Sequence, residues 1–383
     1  MGALGFVLSV LLGLFLLVFL VVIHELGHAI VARRNGVVVE EFGVGFPPRA
    51  WKKKLKNGVL FTVNWLPLGG FVKLQGEHDA ASNKGDYGAA SLWAKTKILL
   101  AGVFVNWVFA AVIFTGLALS GLPKVIDNQF TVKSDTTEIH KPVSIASVTG
   151  DSPADKAGLK KGDAMVRFAG QPLDLPSDLS KLTEKYKGQS VEMIYRRDGS
   201  EKIVRLTLRD SNANGKGYLG VSAEQRTTYR STWSAPIVGV ALTGQLAQTT
   251  LQGLGDMVAK LGTGLFEKLN PSTQSQANEK LSSVGSGVAG PLAILGILFP
   301  SASEAGPSAI LFMTALISLA LAIMNILPIP ALDGGRWFVT VLFRLMKKPL
   351  GKDLEERIHG TGFMVLMALF VLVTIADVSK FTH

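Results

Sequence analysis

From Leu4 to Val22 the chain is apolar at nearly every position. A run of about 20 such residues is long enough to cross a hydrocarbon core roughly 30 Å thick, so a first span is expected at about 4–32. Three more follow: roughly 96–120, containing "ILLAGVFVNWVFAAVIFTGLAL"; roughly 307–327, containing "SAILFMTALISLALAIMNIL"; and 361–377, "TGFMVLMALFVLVTIAD". The apolar stretch 288–300, "VAGPLAILGILFP", is too short to cross and reads as re-entrant or interfacial. No Lys or Arg precedes Arg33, so the first run reads as a retained span rather than a signal peptide. Phe6 stands where a myristoylation signal wants Ser or Thr.

Between the spans the pattern changes. In 37–75, "VVVEEFGVGF" and "VLFTVNWLPLGGFVKL" carry β-branched and alternating residues between Gly and Pro turns, predicting strands at the membrane edge. Within about 141–226, "PVSIASV", "SVEMIYRR" and "EKIVRLTL" alternate as strands, and "SPADKAGLKKGD" reads as turn, short helix and turn. There Ser152-Pro153 opens a helix, Gly158 ends it, and Gly162-Asp163 leads into the next strand. This phrase resembles bacterial PDZ domains, which bind extended peptides or chain ends at a sheet edge; a plain extracytoplasmic spacer is the alternative. Ala247, Leu251, Leu254, Val258, Leu261 and Leu265 then recur at helical spacing, predicting an amphipathic helix that packs or lies on the membrane. Residues 270–287, rich in Ser, Asn, Gln and Gly, read as a loop.

Only 18% of the 383 residues are charged, which fits long buried or lipid-facing stretches. With no cysteine, disulfides, thiolate metal sites and cysteine nucleophiles are excluded. A net charge of +10 could suggest nucleic acid, but here the basic residues concentrate in connections and report orientation. Residues 33–97 and the link between spans three and four carry the clusters, among them Arg33, Arg34, Lys52–Lys54, Arg336, Arg344 and Lys347. The positive-inside rule puts both in the cytoplasm, leaving both termini and 121–306 outside.

Polar groups interrupt the first span at "HELGH". On a helix His24 and His28 lie about 40° apart around the axis, with Glu25 about 100° from His24. H-E-x-x-H is the zinc-hydrolase arrangement, two imidazole ligands with Glu as general base. Three ionisable groups roughly 13 Å from the Arg33 boundary need a compensating partner, which a metal supplies; a hydrogen-bonded polar patch or a proton path are the alternatives. Zinc needs a third protein ligand. His78 and His359 lie on the inner side, but Asp333 in "NILPIPALDGGR" follows a proline-broken span and arrives at the depth of His24, so it is the better candidate.

H-E-L-G-H in the first span and "NILPIPALDGG" in the third resemble the site-2 protease family of intramembrane zinc metalloproteases. The single outward PDZ between spans two and three resembles the bacterial regulator-of-sigma-E protease branch. The resemblance implies a polytopic α-helical membrane protein of four spans, with a membrane-associated β-loop at about 37–75 and an inserted mixed α/β PDZ domain. Its parts would be 1–124, 125–228 (PDZ), 229–287 (helix and loop) and 288–383. It implies Zn²⁺ on His24, His28 and Asp333, Glu25 as base, and Asn325 holding substrate backbone or the oxyanion. Substrates would be single-span membrane proteins such as an anti-sigma factor or a remnant signal peptide, in the bacterial inner membrane; nucleic acid is not expected as a partner. The second span departs from the family: "AGVFVNW" keeps Gly102 and Asn106 but has Val103 where proline is common, which weakens any specific role for that helix. From other classes, a zinc or proton transporter and an inactive PDZ adaptor are the competing expectations.

Overall fold

The computed structural model describes residues 2–212, 215, 217–268, 273–287 and 290–381. They form two compact units, one of Met1–Leu117 with Pro236–His383 and one of Ala118–Ala235. Four helices are long and apolar enough to cross a membrane: Ala3–Arg34, Leu92–Ser120, Pro307–Ile326 and Lys352–Val378.

Helix α1 (Ala3–Arg34) is apolar on all sides, so hydrophobicity does not select its packed face. Small and polar residues do: Ser9, Gly13, Gly27, His24 and His28 are buried, while Leu8, Leu11 and Phe15 stay exposed. Among lipid-facing helices close approach replaces hydrophobic drive as the source of contact, so small residues mark the interface. Strands β1 (Val39–Lys54) and β2 (Leu60–Leu74) follow. Both are bent, so the pair makes four rungs: 49–54 antiparallel beside 60–64, 60–64 in parallel register beside 41–44, and 41–44 antiparallel beside 70–74. Arg49 and Thr62 both donate to the Glu41 carboxylate, tying the first three rungs together. The pairing of 49–54, a run the sequence marks only as basic, is the addition to the expected β-loop. Helix α2 (Leu92–Ser120) is the second span.

Within Ala118–Ala235, β3 (Leu122–Pro123) and β4 (Thr137–His140) flank β11 (Thr227–Arg230) in a small sheet. The main sheet uses β5 (Ser144–Val148), β6 (Ala164–Phe168), β7 (Gln171–Pro172), β8 (Ser190–Arg197), β9 (Ser200–Thr207) and β10 (Val221–Glu224), in the order β10-β5-β6-β8-β9 with β7 beside β6. Alternation on β8 sends Val191, Met193 and Tyr195 into a core shared with Ile145, Met165 and Phe168. Helix α3 (Pro153–Lys156) is capped where the sequence indicates, since the Asp155 N–H donates to Ser152 Oγ at 3.1 Å. Gly158 and Gly162 both have positive φ, which the two turns around Leu159 require. Helix α4 (Pro176–Lys185) has Asp178 accepting the Leu175 N–H at 3.0 Å.

The chain then returns to the first unit. Helix α5 (Ala235–Glu267) buries Val238, Leu242, Thr243 and Leu246, but Leu251 and Val258 of the expected apolar stripe are exposed. The packed face is therefore the N-terminal part, not the repeat seen in the sequence. Helix α6 (Gln274–Gly287) replaces the loop expected for 270–287, of which 270–272 lie outside the described residues. Its Gln, Ala, Glu and Lys are good helix formers, and Lys280 pairs with Glu267 at 2.6 Å. The short apolar run is α7 (Pro291–Ala293), a π-turn Ile294–Leu298 and α8 (Phe299–Ala305). Gly290 and Ala293 N–H groups donate to Asp377, which satisfies that helix start. Helix α9 (Pro307–Ile326) stops before Pro328, and α10 (Asp333–Leu345) begins at the aspartate itself. Helix α11 (Lys352–Phe381) starts well before the expected 361. Its polar residues near the start find partners: Glu355 accepts the Asp79 N–H and His359 Nδ1 accepts the Ala331 N–H.

Candidate metal centre

His24 and His28 come from one face of α1, one turn apart, as 3.6-residue periodicity dictates. Asp333 comes from the first turn of α10, 309 positions after His24. Its Oδ2 lies 3.1 Å from His24 Nε2 and 3.2 Å from His28 Nε2, and the two Nε2 atoms are 3.1 Å apart. One ligand atom from each of these residues lies within 4.8 Å of the others, and this is the group suited to a metal among the described residues. His28 Nδ1 donates to the Ile98 carbonyl at 2.7 Å, which leaves the Nε2 lone pair aimed at the cluster. Two imidazoles and a carboxylate, with no thiolate, form the donor set of hydrolytic zinc, so the residues present fit the ion.

The chain around Asp333 is shaped to deliver it. Between α9 and α10 the segment 327–332 is irregular, with Ala331 at φ 79°. A Cβ on Gly334 would sit 2.1 Å from the Ile326 carbonyl oxygen, and one on Gly335 1.9 Å from that of Ile329. Only glycine lets α10 start so close beneath the end of α9. The other candidate histidines go elsewhere: His359 braces Ala331, and His78 lies 3.4 Å from Glu356.

Two cavities meet at Glu25. One of about 300 Å³ is lined by Glu25, His28, Val72, Tyr87, Asp333 and Arg336. The other, about 200 Å³, is lined by His24, Glu25, Asn106, Asn325 and Asp333 among others. Asn325 thus lines the same cavity as His24, Glu25 and Asp333, its Nδ2 donating to the Leu321 carbonyl at 3.0 Å. Edge rung 70–74 borders the first cavity, with the Val72 N–H beside the Glu25 carboxylate. The second span contributes more than the sequence suggests. A Cβ on Gly102 would lie 2.5 Å from His28 Nε2 and 2.6 Å from His24 Nε2, so α2 forms a wall of the site. Asn106, one turn on, places Nδ2 3.3 Å from His24 Nδ1. The available sequence signal was a lone amide in an apolar span.

Comparison with known proteins adds the identity of the set. Residues 12–369 match the profile of peptidase family M50. A Clostridium perfringens protein bearing a zinc metalloprotease name is 31% identical over 362 residues, 94% of this chain and 95% of that one. The zinc metalloprotease RasP of Geobacillus kaustophilus is 25% identical over 449 residues, 96% of this chain and 97% of that one. A solved PDZ domain of an SdrC-like protein from Listeria monocytogenes is 20% identical and covers 21% of this chain and 86% of that one, with a TM-score of 0.20. The profile spans nearly the whole sequence: the chain belongs to peptidase family M50, the site-2 proteases, and is an intramembrane zinc metalloprotease of the bacterial inner membrane acting on membrane proteins.

Proposed function

We propose that the protein cleaves transmembrane segments of single-span proteins, with His24, His28 and Asp333 holding zinc and Glu25 as general base. The observation that carries this is the convergence of ligand atoms from the first and third spans within 4.8 Å, with Glu25 lining both adjoining cavities. Zinc, when bound, supplies Lewis-acid activation of water and of the scissile carbonyl. Glu25 takes the proton from the attacking water and passes it to the departing amide nitrogen. Asn325, which lines the cavity with His24 and Asp333, would donate its amide to the oxygen on which negative charge develops.

A peptide bond inside a helix is shielded by its own turns, so the substrate must unwind before attack. Unwinding at membrane depth strands backbone N–H and C=O groups at a cost of several kcal/mol each. Rung 70–74 pairs on one side with 41–44 and borders Glu25 on its way past the cavity, which supports its role as the edge that receives the unwound strand. The region 59–65 is interior to the sheet, since 60–64 pair on both sides.

The Ala118–Ala235 unit is read as an extracytoplasmic PDZ domain, with both termini on the same side. The basic connections support that orientation. A groove of about 240 Å³ runs between α4 and the edge strand β10, lined by Leu179, Thr183, Leu219, Gly220 and Val221. It suits an extended peptide or chain end, restricting access to substrates already shortened outside. The decisive experiment is cleavage of candidate single-span substrates by wild type and Glu25→Gln, with zinc measured in both. Loss of cleavage by about 10²–10⁴-fold with zinc retained is expected. Zinc transport persisting in Glu25→Gln without any cleavage by wild type would favour a transporter, and a wild type that purifies without zinc would overturn the assignment.

A further inference from the structure

Asn106 is fully buried in α2, and its Oδ1 has no hydrogen-bond partner. An orphaned amide oxygen in the interior costs on the order of 1–3 kcal/mol, so a position that retains one needs a reason. Its Nδ2 lies 3.3 Å from His24 Nδ1, and its main-chain carbonyl accepts Ser318 Oγ from α9 at 2.8 Å. The residue is therefore pinned from the helix that leads to Asp333, while its amide faces the first ligand candidate.

The two orientations of that amide correspond to two protonation patterns of His24. With Nδ2 donating to Nδ1, the imidazole proton sits on Nε2 and is shared with Asp333 Oδ2, 3.1 Å away. An imidazole that gives its Nε2 lone pair to a metal carries its proton on Nδ1 instead, and Nδ1–H needs an acceptor. His28 has one in the Ile98 carbonyl. For His24 the polar side chain at that nitrogen is Asn106, and a half-turn of its amide replaces Nδ2 by the unpartnered Oδ1.

We infer that Asn106 is a positioning residue of the metal centre, whose side-chain oxygen accepts the His24 Nδ1–H and so holds Nε2 toward zinc. This rests on the assignment of His24 as a zinc ligand. Gly102 on the same face of α2 makes the arrangement possible by leaving room for both rings. The second span is then part of the metal site.

The test is zinc affinity of the purified full-length protein by chelator competition, for wild type, Asn106→Ala, Asn106→Asp, Ser318→Ala and His24→Ala. Loss of an outer partner of a ligating histidine lowers metal affinity about 10–100-fold, so Asn106→Ala is expected in that range. Asn106→Asp keeps an acceptor of the same shape and restores affinity. Ser318→Ala loosens the tie that pins Asn106 but keeps the acceptor at His24 Nδ1, so its loss of affinity is smaller than that of Asn106→Ala. Wild-type affinity in Asn106→Ala, or equal loss in the Ala and Asp variants, overturns the inference. If Asn106→Ala does not fold, the isosteric Asp variant decides: a carboxylate cannot donate to Nδ1, so weakened zinc binding there assigns Asn106 as donor and overturns the inference. Retention of zinc by His24→Ala overturns the ligand assignment itself; loss of zinc there with wild-type binding in Asn106→Ala overturns only the role of Asn106.

Discussion

The two units bury polar groups in different ways. In Ala118–Ala235 each buried polar side chain is paired off locally: Ser152 caps α3, Asp163 holds Arg197 at 2.6 Å and the Lys160 N–H, Thr183 bonds Ser180, and Ser234 bonds Asp135. In the membrane unit some are paired in the same way, as Thr314 is with the Ile310 carbonyl, but His24, His28 and Asn106 converge on one place. Among the described residues, the buried side-chain atoms left without partners all belong to that unit: Tyr87 Oη, Asn106 Oδ1, Glu267 Oε2 and Ser303 Oγ. Tyr87 and Asn106 each line one of the two cavities at Glu25. Satisfied polar burial is a device of folding, whereas convergent, incompletely satisfied burial marks where something else binds.

Mutations can break this contrast. The largest effect is expected from His24→Ala, which should remove zinc from the purified protein and abolish cleavage while the Ala118–Ala235 unit still unfolds as in wild type. Next comes Met193→Ala at the centre of the other unit, fully buried in wild type. It should cost about 2–5 kcal/mol in the unfolding of that unit and leave zinc content unchanged. Loss of zinc there would show that the units are not independent. Val72→Pro deletes the N–H beside Glu25 on an edge rung and should lower cleavage about tenfold, the worth of one buried hydrogen bond, with zinc intact. Full activity would remove the rung from the substrate path.

Smaller effects concern charge. Burial pushes the Asp163 carboxyl up, but the Arg197 pair and the Lys160 N–H outweigh it and hold it below the usual carboxylate range. A group depressed in the folded state stabilises above its unfolded value near 4 and loses that contribution as pH falls through its folded value. The Tm of the Ala118–Ala235 unit should therefore fall on acidification below about pH 4, and Asp163→Asn should flatten that dependence. An unchanged acid profile in the variant would show that Asp163 does not set it. The exposed Arg196–Glu201 pair, 2.8 Å apart, should matter least, with Glu201→Ala changing stability by less than about 1 kcal/mol.

What the sequence determined by itself is whatever depends on neighbours along the chain. Twenty apolar residues define a span wherever they occur; His24 and His28 share a helix face because they are four apart; Ser152, Gly158 and Gly162 punctuate one turn of chain. The full extents of α6 and α11 depend on more than neighbours along the chain. Polar residues there are held by distant partners, Lys280 by Glu267 and Glu355 by the Asp79 N–H, which composition does not reveal. Only the tertiary structure could decide that 41–44 pair on both sides, that Leu251 and Val258 of the α5 stripe are exposed, and that Asn106 and Gly102 of the second span close on the histidines of the first. Such choices are made by helix crossings and strand bends between segments tens to hundreds of residues apart, where an amide or a glycine means nothing until its neighbour arrives.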